Sequence, residues 1–132
     1  MTYDDAGWHF DSVIEQELPT SAASTHIGIF MAWLAINGLT QPEYVPAELL
    51  NRTATPGAYL RRYCADQIDP GMLTAAGNRF TTAAYDVYLA RYDEVSEAAR
   101  HGSTYQTPDT WDTYDAVGPL IDQLYADWRN AA

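Results

Sequence analysis

Thr25-His-Ile-Gly-Ile-Phe-Met-Ala-Trp-Leu-Ala-Ile36 is the stretch on which the fold turns. From Ile27 to Ile36 no residue is charged, and apolar side chains occupy the whole helical circumference rather than one stripe. A helix with one apolar face covers a core from outside, whereas a helix that is apolar all round has to be enclosed by other elements. The segment therefore predicts a central helix, begun by a capping hydroxyl at Thr20 or Ser21 and stopped at Asn37-Gly38. Its apolar run is far shorter than the roughly 20 residues that cross a bilayer, so no membrane span is expected.

The flanking sequence supplies the helices that would enclose it. Three places pair a capping side chain with proline at the first helical position: Thr55-Pro56, Asp69-Pro70 and Thr107-Pro108. Proline fits there because that N–H has no intrahelical partner and its fixed φ suits the helix. After Thr55, the spacing of Tyr59, Leu60, Tyr63 and Cys64 predicts an amphipathic helix with Arg61 and Arg62 turned outward. After Asp69, a longer helix reaching about Ala98 places Leu73, Phe80, Ala84, Val87, Tyr88 and Arg91 near one face. The last segment carries a stripe of Trp111, Tyr114, Val117, Ile121, Leu124, Tyr125 and Trp128. It keeps helical phase through Gly118-Pro119, which predicts one kinked helix or two coaxial ones.

Elsewhere the signals are local. Residues 38–55 form a loop with one helical turn between Pro46 and Asn51, and residues 101–106 form another loop. No segment alternates convincingly as a strand, Trp8 to Phe10 being the nearest candidate. The expected architecture is all-α: a compact bundle of four to five helices forming a single domain over residues 1–132. An extended N-terminal strap, residues 1–19, lies across it, and residues 107–132 form an acidic, aromatic C-terminal helix.

Composition limits the kinds of partner. In 132 residues, 18 Asp and Glu face seven basic residues, all of them arginine, for a formal net charge of −11. Such a surface repels nucleic-acid phosphates and favours a basic protein partner. With 47% hydrophobic and 13% aromatic residues, the chain is far from a disordered composition. The lone Cys64 excludes a disulfide framework and a cysteine-rich zinc site and fits a reducing compartment. The acidic start lacks the basic first region of a signal peptide, so the cytoplasm is the expected location.

Catalytic signatures are sparse. His9, His26 and His101 are the only histidines, and none belongs to an H-x-x-x-H pair or an H-E-x-x-H set, so no metal or cofactor is read directly from the sequence. Tyr3-Asp-Asp-Ala-Gly-Trp-His-Phe10 nevertheless crowds two carboxylates and an imidazole ahead of His26. If the strap packs on the central helix, Asp4, Asp5, His9 and His26 form either a metal-binding or acid/base set, or a structural clasp with Trp8 as its plug. Gly77-Asn-Arg-Phe80 lacks the lysine and glycine spacing of a phosphate loop; Gly77 is expected to allow close helix contact and Asn78 to bond a nearby loop. Ser24 and Thr25 lack a G-x-S-x-G elbow, and Cys64 reads as a packing residue.

Tyr3–His9, Thr25–Trp33, Cys64 and Gly77–Phe80 with its following tyrosine together resemble a group of small acidic bacterial proteins of unknown function. Their shared pattern is approximately Y-D-D-A-x-W-H, T-H-I-G-x-F-x-A-W, C-D and G-N-x-F. The match runs from residue 3 to about residue 92. It departs at Cys64, which is followed by Ala65 before Asp66, and the segment after about residue 100 is individual to this chain. The resemblance implies a bacterial, soluble domain of the sort suspected of immunity or antitoxin roles, and supplies no catalytic residues.

The leading expectation is therefore a non-enzymatic protein-binding module, an immunity protein or antitoxin that neutralises a basic toxin. Its contact surface would be Asp109, Trp111, Asp112, Tyr114, Asp115, Asp122 and Tyr125, where aromatic anchors stand among carboxylates. The alternative is a small hydrolase, metal-dependent or acid/base, built on Asp5, His9 and His26. A structural subunit of a homo-oligomer is the third possibility.

Overall fold

A computed structural model describes residues 1–95 and 104–131, and among these described residues the apolar periodicities resolve into six α-helices and one small ladder. The helices are α1 (Phe10–Glu15), α2 (Thr25–Ile36), α3 (Ala47–Leu50), α4 (Pro56–Tyr63), α5 (Ala75–Tyr92) and α6 (Trp111–Ala131). Two short strands, β1 (Asp4–Asp5) and β2 (Gln67–Ile68), pair antiparallel with Asp4 opposite Ile68 and Asp5 opposite Gln67. Among the described residues the fold is mostly helical, and no helix is long and apolar enough to cross a membrane.

α2 is enclosed as its composition requires: every residue from Thr25 to Ala35 is buried. α4 crosses it most extensively, with α6 on another side. α5 reaches it through the rings of Phe30 and Phe80, stacked at 5.9 Å, and through Tyr88, whose hydroxyl donates to the His26 carbonyl at 2.6 Å. α5 and α6 close on each other where Phe80 meets Tyr125 and Trp128 at 5.0 and 5.6 Å. Each large side chain sealed in this core, such as Phe30, Leu34, Leu60 or Phe80, contributes about 1.5–3 kcal/mol by leaving water.

Two close approaches depend on glycine. A Cβ on Gly28 would lie 2.3 Å from the Pro56 carbonyl oxygen, so α2 and α4 meet nearly backbone to backbone. A Cβ on Gly77 would lie 2.2 Å from the Leu39 carbonyl oxygen, so the close approach expected with a helix is made instead with the segment that follows α2. Asn78 bonds as expected, donating to the Pro70 carbonyl at 3.0 Å and accepting from the Tyr3 hydroxyl at 2.7 Å.

Several boundaries differ from expectation. The central helix begins at Thr25 after a 3-10 turn over Thr20–Ser24, so neither Thr20 nor Ser21 caps it. Thr55-Pro56 does start a helix, with the Thr55 hydroxyl accepting from the Ala58 N–H. Asp69-Pro70 starts only a 3-10 turn, because Leu73 is drawn into a bridge with Thr40 and the helix is capped instead by Thr74. At the C-terminal helix the capping hydroxyl belongs to Thr110, which accepts from the Thr113 N–H, rather than to Thr107.

Val87 and Arg91 lie on the exposed side of α5, and α5 ends at Tyr92; the expected end near Ala98 falls outside the described residues. α6 runs unbroken through Pro119, and the turn between Pro46 and Asn51 is α3. The N-terminal segment is not an extended strap: it is β1, a 3-10 turn over Ala6–His9 and then α1, so Trp8–Phe10 is not a strand. Trp8 is no plug, being 64% exposed.

Candidate functional site

The site begins with the pleat of a two-residue strand. Successive side chains of a strand point to opposite faces, so of the adjacent carboxylates one turns inward and the other outward. Asp4 is the inward one, 3% exposed and the only buried acidic residue among those described. Asp5 faces out and accepts from the Gly7 N–H at 2.8 Å, which caps the 3-10 turn over Ala6–His9. That turn brings the chain back on itself, placing His9 Nε2 2.8 Å from Asp4 Oδ1.

The second imidazole comes from α2. His26 Nε2 stands 3.9 Å from Asp4 Oδ2, and the rings of His9 and His26 meet edge to face at 4.9 Å. Two tyrosines complete the surround. Tyr85 of α5 donates to Asp4 Oδ2 at 2.6 Å, and the Tyr105 hydroxyl lies 2.7 Å from His9 Nδ1. One ligand atom from each of Asp4, His9 and His26 lies within 4.8 Å of the others.

Burial alone would raise the Asp4 carboxyl pKa, but the hydrogen bonds from His9 and Tyr85 and the nearness of the two imidazoles outweigh it and hold the group below the usual carboxylate value. His26 is pushed down from 6.5 to about 4, first by burial and then by the neighbouring His9, against the smaller pull of Asp4. The Tyr85 phenol is raised by burial and by the Asp4 charge it donates to, so it stays a donor. The arrangement is thus an ionised carboxylate beside a neutral imidazole, with His26 Nδ1 buried and without a hydrogen-bond partner.

A neighbouring turn ties the segment down. Ala65 and Asp66, with φ of 53° and 62°, occupy the left-handed region consecutively, a strained pairing for residues with a Cβ. The turn lets Asp66 accept from Ser24 Oγ at 2.7 Å while its carbonyl accepts from the Ala6 N–H at 2.9 Å. Cys64 is buried and its thiol is pushed up to about 12 by that burial, in keeping with a packing role.

Of the sequence-derived triad, then, His9 and His26 converge and Asp5 does not; Asp4 takes its place. Tyr85 and Tyr105 went unassigned, although Tyr85, Tyr88 and Tyr92 share a helical spacing that marks the inner face of α5. Two cavities, of about 380 and 260 Å³, lie nearby. Tyr85 lines the first and Tyr105 the second, but neither has Asp4, His9 or His26 on its wall.

The seven residues expected to face a partner mostly serve this chain. Asp109 accepts from Thr55 Oγ1 at 2.7 Å and from the Gly57 N–H at 2.8 Å, capping α4. Trp111 donates to the Ala54 carbonyl at 2.9 Å, with the Arg52 guanidinium over its ring, and Arg52 also holds Asp115 through two bonds of 2.8 and 2.9 Å. Asp122 accepts from the Trp33 indole N–H at 2.9 Å, and Tyr125 packs on Trp33 and Phe80. Tyr114 is buried and is not a surface anchor, because its position on the inner stripe of α6 turns it to the core. Asp112 is exposed.

No curated protein and no solved structure matches the chain. The sequence model of the family described as a domain of unknown function, DUF7832, matches residues 2–107, which takes in Asp4, His9, His26, Tyr85 and Tyr105, and the chain belongs to that family.

Proposed function

We propose that the protein is a non-enzymatic binding module for a basic protein, the role an immunity protein or antitoxin plays toward a cationic toxin. The observation that carries this reading is where the charge sits. Among the described residues every carboxylate but Asp4 is at least partly exposed, and only Asp115, Glu48 and Glu94 lie within 4 Å of an arginine nitrogen. A surface of that sign draws a cationic partner from a distance and speeds encounter. A cytoplasmic setting suits it, with a single buried thiol.

Holding energy in such a contact comes from aromatic and aliphatic anchors. The C-terminal aromatics are largely engaged within the chain, whereas Trp8 is 64% and Ile14 58% exposed on a segment that also exposes Asp11, Glu15 and Glu17. The anchor of the proposed surface is therefore Trp8 with Ile14, and Asp112, Asp122 and Asp127, which no arginine among the described residues pairs, contribute steering charge. A hydrolase built on Asp5, His9 and His26 finds less support, since Asp5 caps a turn and the cavities open elsewhere.

The test is affinity capture from the native host at low salt, followed by titration of the captured protein against purified variants. Trp8→Ala is expected to weaken binding by at least about tenfold, chiefly through dissociation. Paired Asp11→Lys and Glu15→Lys changes are expected to slow association and flatten its salt dependence. Recovery of no salt-sensitive partner, or a partner indifferent to both variants, would overturn the proposal.

A further inference from the structure

We propose that Asp4, His9 and His26 form a binding site for one divalent transition ion of the zinc type, which fastens the N-terminal segment to the central helix. The proposal is independent of the partner reading above and concerns a different face of the same segment.

Three observations carry it. The donor set is two imidazole nitrogens and one carboxylate oxygen, which suits zinc and its neighbours and is poorly matched to calcium or magnesium, whose sites are built from oxygen. The ligand atoms already lie within 4.8 Å of one another. Around a tetrahedral zinc, bonds of about 2.1 Å set neighbouring ligand atoms roughly 3.4 Å apart, so closure requires movements of about 1 Å, within reach of side-chain rotation. Lastly, His26 is 1% exposed and turns Nε2 toward Asp4 Oδ2, yet stops 3.9 Å away, too far for a hydrogen bond. A structural clasp would satisfy a buried imidazole through bonds of ordinary length. This one is held beside a carboxylate without being bonded to it.

The surround is of the kind that orients metal ligands. The Tyr105 hydroxyl against His9 Nδ1 fixes that ring so that Nε2 faces Asp4, and the Tyr85 hydroxyl holds the other oxygen of Asp4. An ion would replace the 2.8 Å His9–Asp4 hydrogen bond with two coordinate bonds, leaving at least one position for water. The triad does not line the described cavities, so the ion's role is to fasten β1 and the turn over Ala6–His9 onto α2 rather than to act on a substrate.

The test uses full-length protein stripped with a chelator and then titrated with zinc chloride alone, with cobalt chloride in parallel. One equivalent of zinc should bind, the melting temperature should rise with zinc concentration as mass action requires, and cobalt should give the visible absorption of a low-coordinate site. Magnesium and calcium should produce no shift. His9→Ala, chosen because its side chain is 20% exposed and least needed for folding, should lower zinc affinity by at least about tenfold. His101→Ala should leave it unchanged, which separates this site from adventitious binding at the third histidine. Absence of a zinc-dependent rise in melting temperature, or an equal rise in wild type and His9→Ala, would overturn the inference.

Discussion

Replacing Gly28 by alanine tests the central packing claim directly. The new methyl carbon would lie 2.3 Å from the Pro56 carbonyl oxygen and 2.7 Å from its carbon, where ordinary contact is about 3.5 Å. The obstacle is backbone at the start of α4 and cannot rotate away, so the two helices have to separate by about 1 Å. Overpacking of that severity costs about 3 kcal/mol, and alanine recovers about 1 kcal/mol through its better helix propensity. The net expectation is a loss of about 2 kcal/mol. With a urea slope of about 2 kcal/mol per molar, the unfolding midpoint should fall by about 1 M when followed by far-ultraviolet circular dichroism and tryptophan fluorescence. Gly71→Ala is the control, since a Cβ there meets nothing within 4 Å and the change should stay within about 0.5 kcal/mol. A Gly28→Ala protein as stable as wild type would refute the close crossing of α2 and α4, and so would an equal loss at Gly71.

Two further outcomes follow from the site and its supports. His26 is held neutral down to about pH 4 in the fold but takes its proton near 6.5 when unfolded, so the unfolded state binds more protons between those values. In chelator-treated protein, stability should be complete above about pH 6.5 and fall by roughly 3 kcal/mol as the pH drops to 4. Asp4, whose pKa is lowered, adds a further loss below 3.8; urea titrations across pH should show the first step vanish in His26→Gln. Asp109→Ala, which removes the carboxylate that Thr55 and the Gly57 N–H share, should cost about 1–2 kcal/mol in the same assay.

Much of the fold was legible because it is written in periodicities. The unbroken apolar circumference of residues 27–36 requires enclosure wherever the other helices lie, and every residue from Thr25 to Ala35 is buried. The stripe through Gly118-Pro119 kept its phase, and α6 follows it. The boundaries that went astray were decided at longer range. Asp69-Pro70 has the local chemistry of a helix start, yet the bridge of Leu73 to Thr40 holds the chain extended and hands the cap to Thr74. Trp8 looked like a plug because tryptophan is usually buried, but the 3-10 turn that carries His9 inward leaves it outside.

The candidate site divides the same way. That a carboxylate and two imidazoles could meet near the start of α2 was legible in Tyr3–Phe10 and His26 only on the condition that the N-terminal segment packs on the central helix, and the folded chain meets that condition. Which carboxylate it would be was not legible. Asp4 and Asp5 are chemically identical and adjacent, and the choice between them rests on the register of a two-residue ladder with Gln67–Ile68, more than sixty positions away. The aromatic and acidic C-terminal helix is the converse case. Its composition suggested a surface for a partner, and only the packing of Trp33, Arg52, Thr55 and Gly57 against it gave most of those side chains work inside their own chain. Sequence determines periodicity and charge because both are properties of neighbours along the chain. Which of two identical groups turns inward depends on what lies across from it, and that only the folded chain decides.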